Sequence, residues 1–123
     1  MSKTSRTTAP VLEHGPVTER SAEVDGYTAA FVTFHVDIDG APLLKGLPGD
    51  QCACEHWGYL FRGTATFTYA DRIETYEAGD AFYCPPGHTP AHSADSELLL
   101  FSPTAELKRT NDAMERNLAA MTG

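Results

Sequence analysis

All three cysteines and three of the five histidines of this chain lie between residues 52 and 92. Cys52, Cys54 and His56 stand at alternate positions, and His88 and His92 follow after one further set of short segments. Thiolate and imidazole are donors that suit Zn²⁺, and they also serve iron and copper. If the two groups meet in the folded chain, these five side chains predict a divalent metal site. Without a metal, His56 and His92 could act as general acid and base, because imidazole titrates near neutral pH.

The elements that must position these side chains are short strands. Residues 28–38 alternate apolar and polar side chains, which is the pattern of a strand with one buried face. A strand is also predicted at residues 17–24, and short segments rich in Thr, Tyr, Phe and Leu predict further strands at residues 51–56, 59–62, 64–70, 73–77, 81–84 and 97–101. Gly, Asp and Pro separate them, and short strands at this spacing indicate a sandwich or a small barrel.

Strand geometry constrains the candidate donors. In an extended segment Cys52, Cys54 and His56 would face the same way, although Cα atoms two residues apart are about 6.5–7 Å apart. Joint ligation of one ion would therefore need a bend. His88 and His92 also share parity, but Pro90 between them argues against a regular strand.

Two segments outside the strands are apolar. Residues 40–50 contain three glycines, two prolines and three leucines, which predicts a loop that either closes one end of the barrel or lines a ligand pocket. Residues 103–120 predict an amphipathic helix, with Ser102 as its N-cap and Pro103 at its first position. Its apolar stripe is Leu107, Met114, Leu118 and Met121, which would pack on the barrel or on a neighbouring subunit.

The chain length and the net charge limit the class of protein. The 123 residues suffice for one domain, which we divide into a flexible N-terminal arm (1–13), a β-barrel (14–102) and a C-terminal helix (103–123). The net charge of −8 argues against nucleic acid and anionic membranes as partners, since phosphate binding needs basic surface. No secretory signal or membrane span is visible, and an odd number of cysteines fits a reducing compartment, so we expect a cytoplasmic protein.

Residues 58–90 resemble the conserved barrel of the cupin superfamily. Residues 79–87 run Gly-Asp, a short apolar strand and Pro-Pro-Gly, like the start of the second cupin motif, and residues 59–63 match the end of the first. The hairpin between them has the expected length. The resemblance implies an all-β fold, a cupin-type, jelly-roll-like β-barrel with a C-terminal α-helix, and a ligand pocket inside the barrel.

The ligand set of that family does not carry over. Its glutamate position, seven residues before Gly63, is occupied by His56, and Cys52 and Cys54 lie nearest to its first two histidines. Its last histidine position, three residues after Gly87, is occupied by Pro90, flanked by His88 and His92. The resemblance therefore implies a pocket in the same place with different donors.

Three functions follow from these residues. The first is a metal-dependent enzyme for a small organic substrate, of the dioxygenase, isomerase or cyclase type that the resemblance suggests, using Zn, Fe or Cu. The second is a metal-free small-ligand binder or cofactor-free enzyme that uses His56 and His92. The third is a regulatory barrel that forms a homodimer through a sheet and the helix. We rank the metal-dependent enzyme first.

Overall fold

A computed structural model describes residues 3–122 of the chain, with side chains as far as residue 120. It contains ten strands and a C-terminal helix. The strands are β1 (Val11–His14), β2 (Val17–Val24), β3 (Tyr27–Phe34), β4 (Ile38–Asp39), β5 (His56–Arg62), β6 (Thr64–Thr68), β7 (Ile73–Glu77), β8 (Ala81–Cys84), β9 (Thr89–His92) and β10 (Ser96–Pro103). The helix α1 covers Thr104–Thr122.

Two antiparallel sheets face each other. The larger has the strand order β1-β2-β3-β10-β5-β8, and the smaller has the order β4-β9-β6-β7. The buried core between them includes Leu60, Phe67, Phe82 and Leu98. Because neighbouring side chains along a strand point to opposite faces, the residues between those of the core lie on the outer face of each sheet. The prediction of an all-β barrel with a C-terminal helix is confirmed.

One end of the barrel is closed by the leucine-rich loop and the helix. Leu44 and Leu47 of the loop, including a short 3-10 turn at Ala41–Leu44, are buried against Cys52, Cys54 and Ala113. Asn117 fastens the helix to this loop, since its Nδ2 donates to the carbonyls of Leu43 and Lys45 at 2.7 and 2.8 Å. The loop therefore closes the barrel at the end where Cys52 and Cys54 lie.

The apolar stripe predicted for the helix is used inside the chain. Leu107 and Met114 pack on the cluster around Leu44 and Cys52, whereas Leu118 is 37% exposed. The side chain of Met121, the fourth predicted member, lies outside the described residues. Leu107 and Met114 are therefore used inside the chain and are not available to another subunit.

Two predicted strands are shorter than expected. The strand predicted over 28–38 ends at Phe34, and the chain bends before it enters the other sheet at Ile38. The Asp37 carboxylate accepts the backbone N–H of Ala94 at 2.7 Å and holds this bend. The strand predicted over 51–56 is absent except for an isolated bridge between Cys52 and His88, and regular pairing begins only at His56.

Pro90 does lie in a strand, contrary to expectation. The carbonyl of Pro90 accepts the N–H of Gly40 at 2.8 Å, beyond the end of β4. In an extended strand the N–H and C=O of one residue point to the same side. The missing N–H of Pro90 therefore faces the end of β4 instead of β6, and the ladder between β6 and β9 loses no hydrogen bond.

The start of the helix also differs from the prediction. Ser102 and Pro103 belong to β10, and the helix begins at Thr104. Ser102 is 2% exposed and its hydroxyl contacts His56, so it does not cap the helix. The local sequence assigns the Ser102 side chain to a helix cap, but in the structure it is hydrogen-bonded to the buried His56 instead.

Candidate functional site

Cys52, His56 and His88 bring three donor atoms together, all within 4.8 Å of one another. We call these residues the three-donor group. They are 3%, 6% and 1% exposed, so the group is buried. The backbone bridge between Cys52 and His88 joins the two parts of the chain, because the N–H of Cys52 donates to the carbonyl of His88 at 2.8 Å. The first residue of β5 then supplies His56. The two groups of donors predicted from the sequence therefore meet.

Both histidines of the group are hydrogen-bonded at the same ring nitrogen, Nδ1. The Nδ1 of His88 lies 2.8 Å from the carbonyl oxygen of Pro85, which can only accept, so Nδ1 carries the proton. The Nδ1 of His56 lies 2.7 Å from the hydroxyl of Ser102, which can also accept. With the proton on Nδ1 in each ring, Nε2 has a free lone pair. Such an outer hydrogen bond orients the imidazoles of metal sites.

Burial keeps these imidazoles neutral. Desolvation, with a smaller effect of His88 and His92, lowers the pKa of His56 to about 3. Desolvation also lowers the pKa of His88, against the opposing effect of its hydrogen bond to Pro85. A neutral imidazole is the form that binds metal, so both rings are ready to ligate at neutral pH.

The thiol of Cys52 completes the group. Its Sγ lies 3.6 Å from the Nε2 of His56 and 3.6 Å from the hydroxyl of Thr110 on the helix. Burial raises the pKa of this thiol, although hydrogen bonds with Thr110 and with the backbone of Cys54 oppose the effect. The metal-free group therefore holds a protonated thiol, and metal binding would release that proton.

The geometry fits a tetrahedral ion with mixed sulfur and nitrogen donors. Bonds of about 2.3 Å to sulfur and about 2.0–2.1 Å to nitrogen place those two donors about 3.6 Å apart. Cys52 Sγ and His56 Nε2 are separated by 3.6 Å. Since all three donor atoms lie within 4.8 Å of one another, a small movement of the His88 side chain would bring its donor atom within ligand distance of the same ion.

The other two cysteines lie outside the three-donor group. Cys54 is 1% exposed, and its thiol donates to the carbonyl of Glu55 at 3.4 Å. Cys84 is fully buried in the core between the sheets. Desolvation raises the pKa of each thiol to about 12. These environments are typical of packed, unreactive cysteines.

His92 lies inside the barrel but outside the three-donor group. Its ring stacks on Phe34, with centroids 4.0 Å apart and planes 8° apart, and meets the edge of Phe67. His92 is 8% exposed, and its Nδ1 has no hydrogen-bond partner among the described residues. The hydroxyl of Tyr69, whose ring contacts His88, is likewise buried, with the Cys84 thiol as its polar neighbour. A buried polar group without a partner costs about 1–3 kcal/mol, so this interior favours a polar occupant.

Sequence reasoning missed Ser102, the residue that orients His56. Its alternation with Leu98 and Leu100 would have placed it on the inner face of β10, in line with the core. Because Ser followed by Pro is a typical signal for the start of a helix, the sequence predicted a helix cap instead of an inward-facing strand residue. Thr110, which contacts Cys52, gave no signal, since a threonine within a helix predicts no contact with a strand.

Buried neutral histidines predict that the metal-free protein loses stability in acid. Desolvation lowers the pKa of His92 to about 4, whereas an unfolded histidine titrates near 6.5. Between these values the unfolded chain binds more protons, so stability rises with pH and is fully present above about pH 6.5. We expect the free energy of unfolding to fall from pH 7 to pH 4, by up to about 1.4 kcal/mol per pH unit for each such histidine.

Urea unfolding at several pH values measures this dependence. His92→Gln should flatten the profile by the share of one histidine. His14→Gln, which removes a histidine of the edge strand β1, is the control and should keep the wild-type slope. A wild-type free energy of unfolding that stays constant between pH 7 and pH 4 would contradict the expectation.

None of the described helices is long and apolar enough to cross a membrane. This result concerns only the described part of the chain.

Comparison with known proteins identifies the fold. No protein-family model and no curated protein matches the sequence. Among solved structures, the chain is similar to an RmlC-like cupin from Shewanella frigidimarina, at 17% identity and a TM-score of 0.56, over 81% of this chain and 88% of that one. It is similar to the polyketide cyclase RemF from Streptomyces resistomycificus, at 16% identity and a TM-score of 0.58, over 84% and 79%. It also resembles the Fe(II) form of HppE, at 8% identity and a TM-score of 0.57, over 80% and 58%. The two sheets, their order and the C-terminal helix thus form a β-barrel with the cupin fold.

Proposed function

We propose that this chain is a metal-dependent enzyme acting on a small organic substrate inside the barrel, with the three-donor group as its metal centre. One observation carries the proposal. Three buried donors converge from separate parts of the chain, and each imidazole is hydrogen-bonded at its Nδ1. Buried polar groups are normally paired, so a cluster of this kind is well explained by an ion that uses all three.

Zn²⁺ is the first choice of metal, because one thiolate and two imidazoles suit it; iron and copper are the alternatives. Cys52, His56 and His88 would hold the ion. A bound divalent ion polarises a substrate oxygen, and three protein ligands leave a fourth position for substrate or water. Cys54 and His92, which the sequence also marks as candidate ligands, are not needed to complete this set.

The interior of the barrel supports a role for His92 beside the metal. Its ring is held between Phe34 and Phe67, and its free Nδ1 is available to a polar substrate group. Burial keeps the imidazole neutral, since it lowers the pKa to about 4. His92 would therefore accept a hydrogen bond or a proton from substrate.

Reactions named for the structural neighbours give the range of chemistry. RemF is a polyketide cyclase, and HppE is named in an Fe(II) form. A dioxygenase, isomerase or cyclase reaction on a small organic molecule is compatible with these names and with an enclosed site.

A second function is favoured by the direct contact within the group. Cys52 Sγ and His56 Nε2 are close enough to share a hydrogen bond, which would satisfy both atoms without an ion. The barrel would then bind its ligand through histidines alone, with His56 and His92 as hydrogen-bonding or acid–base groups. Metal content separates the two functions.

Elemental analysis of protein purified without a histidine tag is the test. We expect close to one zinc, iron or copper ion per chain in the wild type and strong depletion in Cys52→Ser. Cys54→Ser is the matched control, since it changes a neighbouring buried cysteine outside the group, and it should retain the metal. Wild-type protein that holds little metal and takes up none on reconstitution would overturn the metal centre and favour the second function.

The homodimer predicted from the sequence also stays a proposal. The sequence predicts that it forms through a sheet and the helix. Leu107 and Met114 of the helical stripe pack inside the chain, which leaves the sheet as the larger part of that surface.

A further inference from the structure

Among the described residues, no lysine, arginine, aspartate or glutamate is buried in the interior that surrounds the three-donor group. The buried polar residues of that part of the chain are His56, His88, His92, Ser96, Ser102 and Thr110. Even Glu55, which precedes His56 in sequence, is directed to the outer face of the larger sheet, where its carboxylate accepts the hydroxyl of Tyr83 at 2.7 Å. The interior therefore offers histidines and hydroxyl groups to a ligand, but no side chain with a permanent charge.

An ion pair borders this interior at the hairpin between β6 and β7. The guanidinium of Arg72 lies over the ring of Tyr69, 4.1 Å from its centroid, and that ring contacts His88. The half-buried carboxylate of Glu74 accepts the Nε–H of Arg72 at 2.9 Å. Asp71 also binds Arg72, at 3.0 Å, but its side chain is 77% exposed, so water screens its charge. The positive charge of Arg72 is therefore already compensated and does not add to the interior.

A divalent ion held by the three-donor group would give this interior one net positive charge. The ion carries two positive charges, Cys52 would contribute one negative charge as a thiolate, and the neutral imidazoles of His56 and His88 would contribute none. His92 adds no charge, because burial lowers the pKa of its imidazole to about 4. A charge without a counter-charge is strongly unfavourable in a protein interior. The open position of the metal therefore favours a ligand with a single negative charge.

The interior beside the three-donor group is lined by aromatic rings. The ring of Phe67 lies 5.3 Å from that of His88 and 6.0 Å from that of His92, measured between centroids. The ring of Tyr69 lies 5.8 Å from His88, and that of Phe82 lies 5.9 Å from Phe67. Such rings pack well against apolar and aromatic groups, but they provide none of the charged donors that bind a phosphate. The part of a substrate that does not contact the metal should therefore be apolar.

We propose that the substrate is a small, apolar, ring-containing molecule that binds the metal as a monoanion, through a carboxylate, enolate or phenolate oxygen, and that carries no phosphate or ammonium group. This inference rests on the proposed metal centre and names the substrate class of that site. A dianion would leave the interior with a net negative charge, and an ammonium group would add to its positive charge. The net charge of the whole chain, −8, also repels a dianion more strongly than a monoanion.

Cobalt(II)-loaded protein tests this class, because the visible absorption of cobalt(II) changes when a ligand binds the ion. Benzoate, phenyl phosphate and benzylamine carry the same ring with one negative, two negative and one positive charge, at a pH of about 7.5, above the second pKa of a phosphate ester. Acetate carries the carboxylate without the ring. We expect benzoate to bind at least about tenfold more tightly than phenyl phosphate and than acetate, and benzylamine to leave the spectrum unchanged. A dianion binds a divalent ion more strongly in water, so the opposite order would come from the protein.

A change in the charge of the metal group should change the preference between these probes. Cys52→His keeps three donors but removes the thiolate, so the loaded group would carry two net positive charges. The affinity for phenyl phosphate relative to benzoate should then rise at least about tenfold, because a dianion now completes the compensation. Cys54→Ser is the matched control, since it changes a buried cysteine outside the group and keeps the charge of the group. It should rank the probes as the wild type does.

The outcomes distinguish this inference from the metal centre on which it rests. A wild type that takes up no cobalt(II) would overturn both. Uptake of cobalt(II) with phenyl phosphate bound as tightly as benzoate would overturn the monoanionic substrate and leave the metal centre intact. Equal affinity for acetate and benzoate would overturn the apolar, ring-containing part of the class. If Cys52→His fails to fold or to bind cobalt(II), the ranking of the probes by the wild type decides the result.

Discussion

Replacing His56 by alanine is expected to lower the affinity of the chain for Zn²⁺ by at least about 100-fold. The substitution removes one of three donors and leaves the hydroxyl of Ser102 buried without its partner. Even residues that only orient a ligand typically change metal affinity 10- to 100-fold, so losing the ligand itself should cost more. Competition with a chromophoric chelator measures the affinity directly and needs no knowledge of the substrate.

A substitution of Ser102 tests the same metal site more specifically. Ser102→Ala keeps all three donors but removes the group that holds the Nδ1 of His56, and we expect a 10- to 100-fold loss of affinity. Ser96→Ala is the matched control. Ser96 is also a buried serine of β10, but its hydroxyl donates to the carbonyl of Ser93, away from the three-donor group.

The rank order of Zn²⁺ affinity among the three variants decides whether His56 is a metal ligand. A metal centre predicts wild-type affinity in Ser96→Ala, an intermediate value in Ser102→Ala and the lowest in His56→Ala. Equal affinity in all of them would show that His56 does not ligate the ion. An equal loss in both serine variants would indicate a general effect of disturbing β10.

The fold could be predicted because its signals are local and mutually consistent. The alternation that contains Ala30, Val32 and Phe34 places one face of β3 in the core, as observed for these residues. The Gly-Asp pair at residues 79 and 80 marks the turn before β8. Each of these signals depends on a few neighbouring residues, and the same periodicity recurs along the chain.

Strand boundaries were less predictable because they depend on distant partners. Nothing local ends β3 at Phe34; the turn away from the sheet is held by a hydrogen bond between Asp37 and Ala94, far apart in sequence. Similarly, Pro90 is compatible with β9 only because the end of β4 leaves that side of the strand without a ladder partner. Tertiary context decides such cases.

The sequence predicts which types of residue form the candidate site, but not which of the five candidate residues belong to it. Cys52 and His88 meet through a single isolated bridge, which no periodic pattern announces. Cys54 has the same parity as Cys52 and is equally buried, yet its thiol is turned to the carbonyl of Glu55. Which of the two cysteines joins the three-donor group thus depends on small differences in the path of the backbone.

Gly63→Ala is expected to destabilise the chain strongly, by about 2–5 kcal/mol. Gly63 joins β5 to β6 with a φ of 82°, which an alanine adopts at a cost of about 1–2 kcal/mol. A Cβ there would also lie 2.4 Å from the Cβ of Ser96 and 2.6 Å from its Cα. Because Ser96 is buried and its backbone forms part of β10, the clash cannot be relieved by a side-chain rotation, and such overpacking adds about 1–3 kcal/mol.

Gly79→Ala separates these two contributions. Gly79 has a comparable φ of 96°, but a Cβ added there meets nothing within 4 Å. Its alanine variant should therefore lose only the backbone cost of about 1–2 kcal/mol. Urea unfolding of both variants measures the difference. If Gly63→Ala is no less stable than Gly79→Ala, then the chain can move β10 away from the β5–β6 turn. Because His56 is held through Ser102 of the same strand, that mobility would also loosen the three-donor group.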